Sequence, residues 1–186
     1  EIKKEFDNKP DKFIVPNIIA VSKAFSLEHI NPLIEAGHVH FGENKIQEAE
    51  NKWNEIKNKY NNLQLHMVGN LQTNKAKKAV KLFDYIHSLD NAKLASKIEQ
   101  YQKELNKKVK LFIQVNIGNE NQKSGISIKD LDNFFYYCKD QLLLNVIGLM
   151  CLPPINSDSK KYFEILKHHS KKLNLKHLSM GMSTDY

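Results

Sequence analysis

No arginine occurs in this chain; all 28 of its strongly basic residues are lysines. That absence bears directly on the net charge of +7. Arginine makes the bidentate contacts to phosphate and guanine that nucleic-acid surfaces favour. The lysines are also scattered along the chain instead of gathered into a patch. With abundant Asn and Ile they read as compositional drift, so no nucleic-acid partner is expected. Cysteine is scarce as well. Cys138 and Cys151 stand far apart without metal-ligand spacing. That excludes a disulfide framework and predicts reduced, buried thiols of a cytosolic protein. No apolar run approaches the roughly 18 residues of a membrane span. Glu1-Ile2-Lys3-Lys4 lacks the apolar segment of a signal peptide. A cytoplasmic setting without a membrane partner is therefore expected. There is no initiator Met, so residues are expected ahead of Glu1.

What is present is a globular composition, 41% hydrophobic and 26% charged over 186 residues. That length suits one domain, expected to span 1–186 with both ends incomplete. The strongest local signal is Ile18-Ile19-Ala20-Val21-Ser22-Lys23. A short continuous apolar run reads as a strand buried on both faces, and a lysine sits at its carboxyl end. A charge there is costly unless it is paired or used. Desolvation would lower the amine pKa and free its lone pair to attack a carbonyl; the bland alternative is a lysine that reaches out to solvent.

Pro10 and Pro16 mark residues 1–17 as the end of a helix and an irregular approach to the first strand. Beyond it, strands are expected at 39–41, 64–68, 85–88, 109–117, within 142–150 and at 177–180. Helices are expected between them. Ser26 is a candidate N-cap and Gly37 a C-cap for the first. Ile46, Ala49, Trp53, Ile56 and Tyr60 mark one face of the second. A lysine-rich helix covers 73–82, Asp90 or Asn91 caps the next, Ser127 starts one through Cys138, and Asp158 opens the last. Regular alternation without a hairpin signal means parallel βα units. Seven such strands predict an α/β fold, a (β/α)8 TIM barrel lacking its last helix–strand–helix. No Gly-rich dinucleotide fingerprint follows the first strand, which counts against an open Rossmann sheet.

In such a barrel the chemistry gathers at the carboxyl ends of the strands. Those ends carry Lys23, Gly42-Glu43-Asn44, Gly69-Asn70-Leu71-Gln72, Ser88, Asn116, Met150 and Ser179-Met180-Gly181-Met182-Ser183. An amine, neutral hydrogen-bonding groups and a Ser/Gly turn able to cradle a phosphate are the parts of a pyridoxal phosphate (PLP) site. No Ser/His/Asp arrangement or HExxH pattern is present, and no metal site is expected. His66, inside a strand, reads as a core residue, and His168-His169 lies on a polar helix. Asn44 could equally cap the following helix. Ser179 and Ser183 could cap another, and Met180 and Met182 could simply pack. Lys75 and Lys123 read as solvated loop lysines.

Six segments occur in order: Ala20-Val21-Ser22-Lys23; Phe41-Gly42-Glu43-Asn44 with Gln47-Glu48; His66 to Lys75; Gln114-Val115-Asn116 with Lys123-Ser124-Gly125; Gly148-Leu149-Met150; and Leu178 to Ser183. Together they resemble the pyridoxal phosphate homeostasis protein family, of the YggS and PROSC type, from about Ile18 to Asp185. The resemblance implies a fold-type III barrel like the N-terminal domain of alanine racemase. It implies that Lys23 holds PLP as a Schiff base and that Asn44 lies near its ring. Ser179 and the turn of Gly181, Met182 and Ser183 would hold ring and phosphate. The family's Arg-Ile-Gly-Ser/Thr segment, which follows the last strand, is not in this chain, so a chain ending at Tyr186 is expected to bind the cofactor weakly. The first functional reading is a non-catalytic, monomeric PLP carrier in vitamin B6 homeostasis, with PLP-dependent apoenzymes as partners. The alternative is a PLP-dependent amino-acid racemase.

Overall fold

Strands and amphipathic helices alternate through the computed structural model, which describes residues 16–182 apart from 121 and 156. The strands are β1 (Ala20–Val21), β2 (His40–Glu43), β3 (Gln64–Met67), β4 (Tyr85–Leu89), β5 (Lys110–Val115), β6 (Val146–Cys151) and β7 (His177–Ser179). They form one sheet in sequence order, each parallel to the next. The helices are α1 (Leu27–Glu35), α2 (Ile46–Lys59), α3 (Ala76–Leu82), α4 (Ala92–Glu104), α5 (Leu131–Tyr136) and α6 (Ser159–Lys172). Among the described residues no helix is long and apolar enough to cross a membrane.

The pattern of apolar residues explains the layering. In β5 every residue from Leu111 to Val115 is buried, because helices cover one face and the curled sheet the other. In α2 the stripe Ile46, Ala49 and Trp53 is buried, with Ile56 and Tyr60 packed against the same core. The sheet is strongly curled. The Ser179 hydroxyl on β7 lies 2.7 Å from His87 Nδ1 on β4. Three strand spacings in a flat sheet would separate them by about 14 Å. With consecutive order and parallel pairing, this is the barrel geometry expected, and it sets all seven carboxyl ends on one rim.

Several boundaries depart from the expected ones. β1 pairs over only two residues, with β2 as its one neighbour among the described residues. β2 runs two residues further than expected, to Glu43, whose side chain is fully buried. The lysine-rich segment opens as a 3-10 turn, Thr73–Lys75, before α3. Ser127 does not start a helix. Its hydroxyl bonds the carboxylate and backbone N–H of Asp130, closing a turn, and α5 begins only at Leu131. That helix ends in a π turn, Tyr137–Gln141. The expectations for residues 1–15 lie outside the described residues.

Candidate functional site

Lys23 leaves the end of β1 in a turn, followed by Ala24 with φ +63°. The backbone on either side of it is fastened. Ser22 N–H donates to the Gly42 carbonyl at 2.9 Å. Lys52 Nζ donates to the Ser22 carbonyl at 2.8 Å. Ala24 N–H donates to Glu48 Oε1 at 2.7 Å, and that bond, with Lys52 beside it, holds the Glu48 carboxyl below its usual range. These partners converge on Glu43. Its Oε1 accepts from the Ser22 hydroxyl at 2.8 Å and from Lys52 Nζ and Trp53 Nε1, each at 2.9 Å. Glu43 is 0% exposed and Lys52 9%, so this is a buried ion pair with further hydrogen bonds.

The Lys23 amine itself has no hydrogen bond or ion pair among the described residues. The expectation of an amine walled off from water is not met, since Lys23 is exposed. Among the described residues β1 is paired on one side only, and Ile18 and Val21 beside it are 46% and 42% exposed. The lysine nevertheless stands on the rim where the other strand ends gather.

Asn44 follows β2 on that rim. It is not the helix cap: the N-cap position of α2 is Lys45, with no side-chain cap bond. The Asn44 carboxamide has no partner among the described residues. Its backbone is pressed against Gly69, where an added Cβ would lie 2.3 Å from the Asn44 carbonyl oxygen, so only glycine allows this approach. Asn44, Gln47, Met67, Asn70, Gln72 and Lys75 are among the residues that line a cleft of about 300 Å3. Ser179 ends β7, and beyond it Gly181 adopts φ +93° with open space around its Cα. Met182 is half-buried. Ser183 lies outside the described residues. Two other rim residues are already committed. Asn116 bonds three backbone groups of the loop 116–123. Lys123, expected as a solvated lysine, bonds the Glu120 carboxylate at 2.7 Å and the Pro153 carbonyl at 3.2 Å.

Behind the rim runs a row of imidazoles. His40 Nδ1 lies 3.0 Å from His66 Nε2, and His66 Nδ1 lies 2.9 Å from His87 Nε2. His87 Nδ1 meets the Ser179 hydroxyl, as given above. Tyr85 stacks on His66 at 4.2 Å and Phe112 on His87 at 4.3 Å. Burial pushes His66 down to about 2 and His87 down to about 3, so both rings are neutral. His66 is thus the interior residue expected, but His40 and His87 escaped the sequence reading. The available signal was histidine at inward-facing positions of three successive strands.

The chain matches the family model described as alanine racemase, N-terminal domain, over residues 10–186. It is 32% identical over 178 residues to the pyridoxal phosphate homeostasis protein of Pasteurella multocida (strain Pm70), covering 90% of this chain and 76% of the relative. PipY of Synechococcus elongatus PCC7942, solved without PLP, superposes with a TM-score of 0.81 at 32% identity, over 98% of this chain and 88% of PipY. The same protein solved with PLP bound gives 0.78 at 30% identity, with the same coverage. The alanine racemase of Clostridium difficile 630 shares the fold, at a TM-score of 0.65 and 12% identity over 96% of this chain and 49% of the racemase. By its sequence matches and its barrel, the chain belongs to the pyridoxal phosphate homeostasis proteins of the alanine racemase N-terminal domain family.

Proposed function

We propose that this protein binds pyridoxal phosphate, with Lys23 holding it as a Schiff base, and acts as a reversible carrier in vitamin B6 homeostasis. One observation carries the reading. Lys23 is a rim lysine whose backbone is pinned on both sides while its own amine is unengaged among the described residues. Pinning removes conformational freedom that binding would otherwise cost, and an unengaged amine needs no bond broken before use. The other residues fit the same ligand. Among the described residues the Asn44 carboxamide has no partner and the Ser179 hydroxyl is bonded to His87 alone, while Gly181 at φ +93° leaves room beside the backbone for a phosphate. Met182 is half-buried next to Gly181, and Ser183 follows it in the sequence, outside the described residues. The cofactor supplies an aldehyde that an amine captures reversibly.

The reading extends to a monomeric cytoplasmic carrier, one barrel domain, that hands cofactor to PLP-dependent apoenzymes. A shared fold carries no chemistry by itself, so the racemase alternative gains no support from the barrel. Borohydride reduction of the PLP-loaded protein, followed by peptide mapping, tests the reading. The label should fall on the peptide containing Lys23, and the visible absorbance of the complex should vanish in Lys23→Ala. Labelling spread over many lysines, or absorbance surviving in that variant, would overturn it.

A further inference from the structure

The imidazole row has a polarity. A neutral imidazole donates from one nitrogen and accepts at the other. Each bond in the row joins Nδ1 of one ring to Nε2 of the next. Satisfying both N···N contacts forces His40, His66 and His87 into a common tautomer. If all carry the proton on Nδ1, His87 donates to the Ser179 oxygen and the Ser179 proton is free to be given outward. If all carry it on Nε2, the Ser179 hydroxyl donates inward to His87 and its oxygen offers only lone pairs to the rim.

We propose that His40, His66 and His87 form a one-proton relay through the barrel that delivers a proton from solvent to the ligand atom seated over Ser179. The step balances. Ser179 releases its proton to a basic atom of the ligand, and His87 Nδ1–H passes its proton to the Ser179 oxygen. His66 Nδ1–H then passes to His87 Nε2, and His40 Nδ1–H to His66 Nε2. His40 Nε2 takes one proton from water. That last nitrogen has no partner among the described residues, and His40 is half-buried. After one passage every tautomer is reversed. Only the return passage resets the row, because the Tyr85 and Phe112 stacks oppose ring flips at His66 and His87. A device that moves one proton in and must then move it back suits binding and release, not repeated turnover in one direction.

Burial is the main reason charge does not rest inside the row, and the groups that face it add to the effect. Lys110 and His38 act on His40, and Lys110 and Lys57 act on His66, all disfavouring an imidazolium. Lys110 is itself held by the Tyr85 hydroxyl at 2.9 Å. The buried rings therefore act as a concerted wire, whose ends are His40 and Ser179.

The proposal rests on the cofactor reading above, and one experiment separates their fates. Side-chain nitrogen NMR of isotope-labelled protein reads each histidine tautomer at neutral pH, first without PLP and then at saturation. His66 and His87 are expected to be neutral and to share one tautomer without cofactor. PLP should reverse both, and His40→Phe, a change at the half-buried end, should abolish the reversal. Opposite tautomers in the free protein, or an unchanged pair beside a trapped Lys23 adduct, would overturn the relay alone. Failure to trap any Lys23 adduct overturns the cofactor reading and the delivery step with it. A shared tautomer would then remain a property of the barrel interior only.

Discussion

At the scale of single residues, Lys23 and Glu43 make opposite predictions. Lys23 is exposed and without partners among the described residues. Its replacement by Ala should leave stability within about 0.5 kcal/mol while abolishing PLP capture. Glu43 is fully buried and gathers Ser22, Lys52 and Trp53 on one oxygen. Glu43→Ala removes the buried partner of Lys52, which keeps only the Ser22 carbonyl and Glu48 at 3.3 Å, and should cost about 3 kcal/mol in urea unfolding. It should also slow PLP capture, because the Ser22 side of the Lys23 turn loses its hydroxyl bond to Glu43 and is held less firmly. Lys23 could be read from sequence because an amine at a strand end is chemically conspicuous. Glu43 could not, because its role depends on Lys52 and Trp53 one helix away. The two thiols were foreseeable as buried, and burial pushes both Cys138 and Cys151 up to about 12.

At the scale of elements, caps separate the helices. Asn91, one of two expected caps for α4, accepts a hydrogen bond from Leu94 N–H at 2.8 Å. Asn91→Ala should cost about 1 kcal/mol, measured by chemical denaturation. The N-cap position of α2 is Lys45, with no such bond. Lys45→Ser should therefore stabilise by a few tenths to about 1 kcal/mol. Existence and order of the elements were legible because apolar periodicity switches cleanly between strand and helix. Their ends were less so where side chains bond locally. Ser26 stands at the N-cap of α1 as expected, yet its hydroxyl engages the His29 ring at 2.9 Å instead of a backbone N–H. Ser127 closes a turn and delays α5 in the same way.

At the scale of the whole molecule, the parallel order followed from sequence but the interior of the barrel did not. Ser179 and His87 are 92 residues apart and meet only because the sheet curls. That interior makes stability pH-dependent in a defined direction. His66 and His87 fall from 6.5 to about 2 and about 3 on folding, chiefly through desolvation. The unfolded chain therefore binds more protons than the folded one below pH 6.5, so stability is lost as pH falls through that value. Each pH unit below it should remove up to about 1.4 kcal/mol per buried histidine. His40 and His169, also lowered, act in the same direction. Asp90, raised by burial, opposes them. Urea midpoints at pH 6.5, 5.8 and 5.0 read the net slope. A steep loss of stability over this interval is expected for the native chain, and a shallower one for His66→Phe. Equal slopes in the two proteins would mean that His66 contributes nothing to the acid sensitivity of the fold.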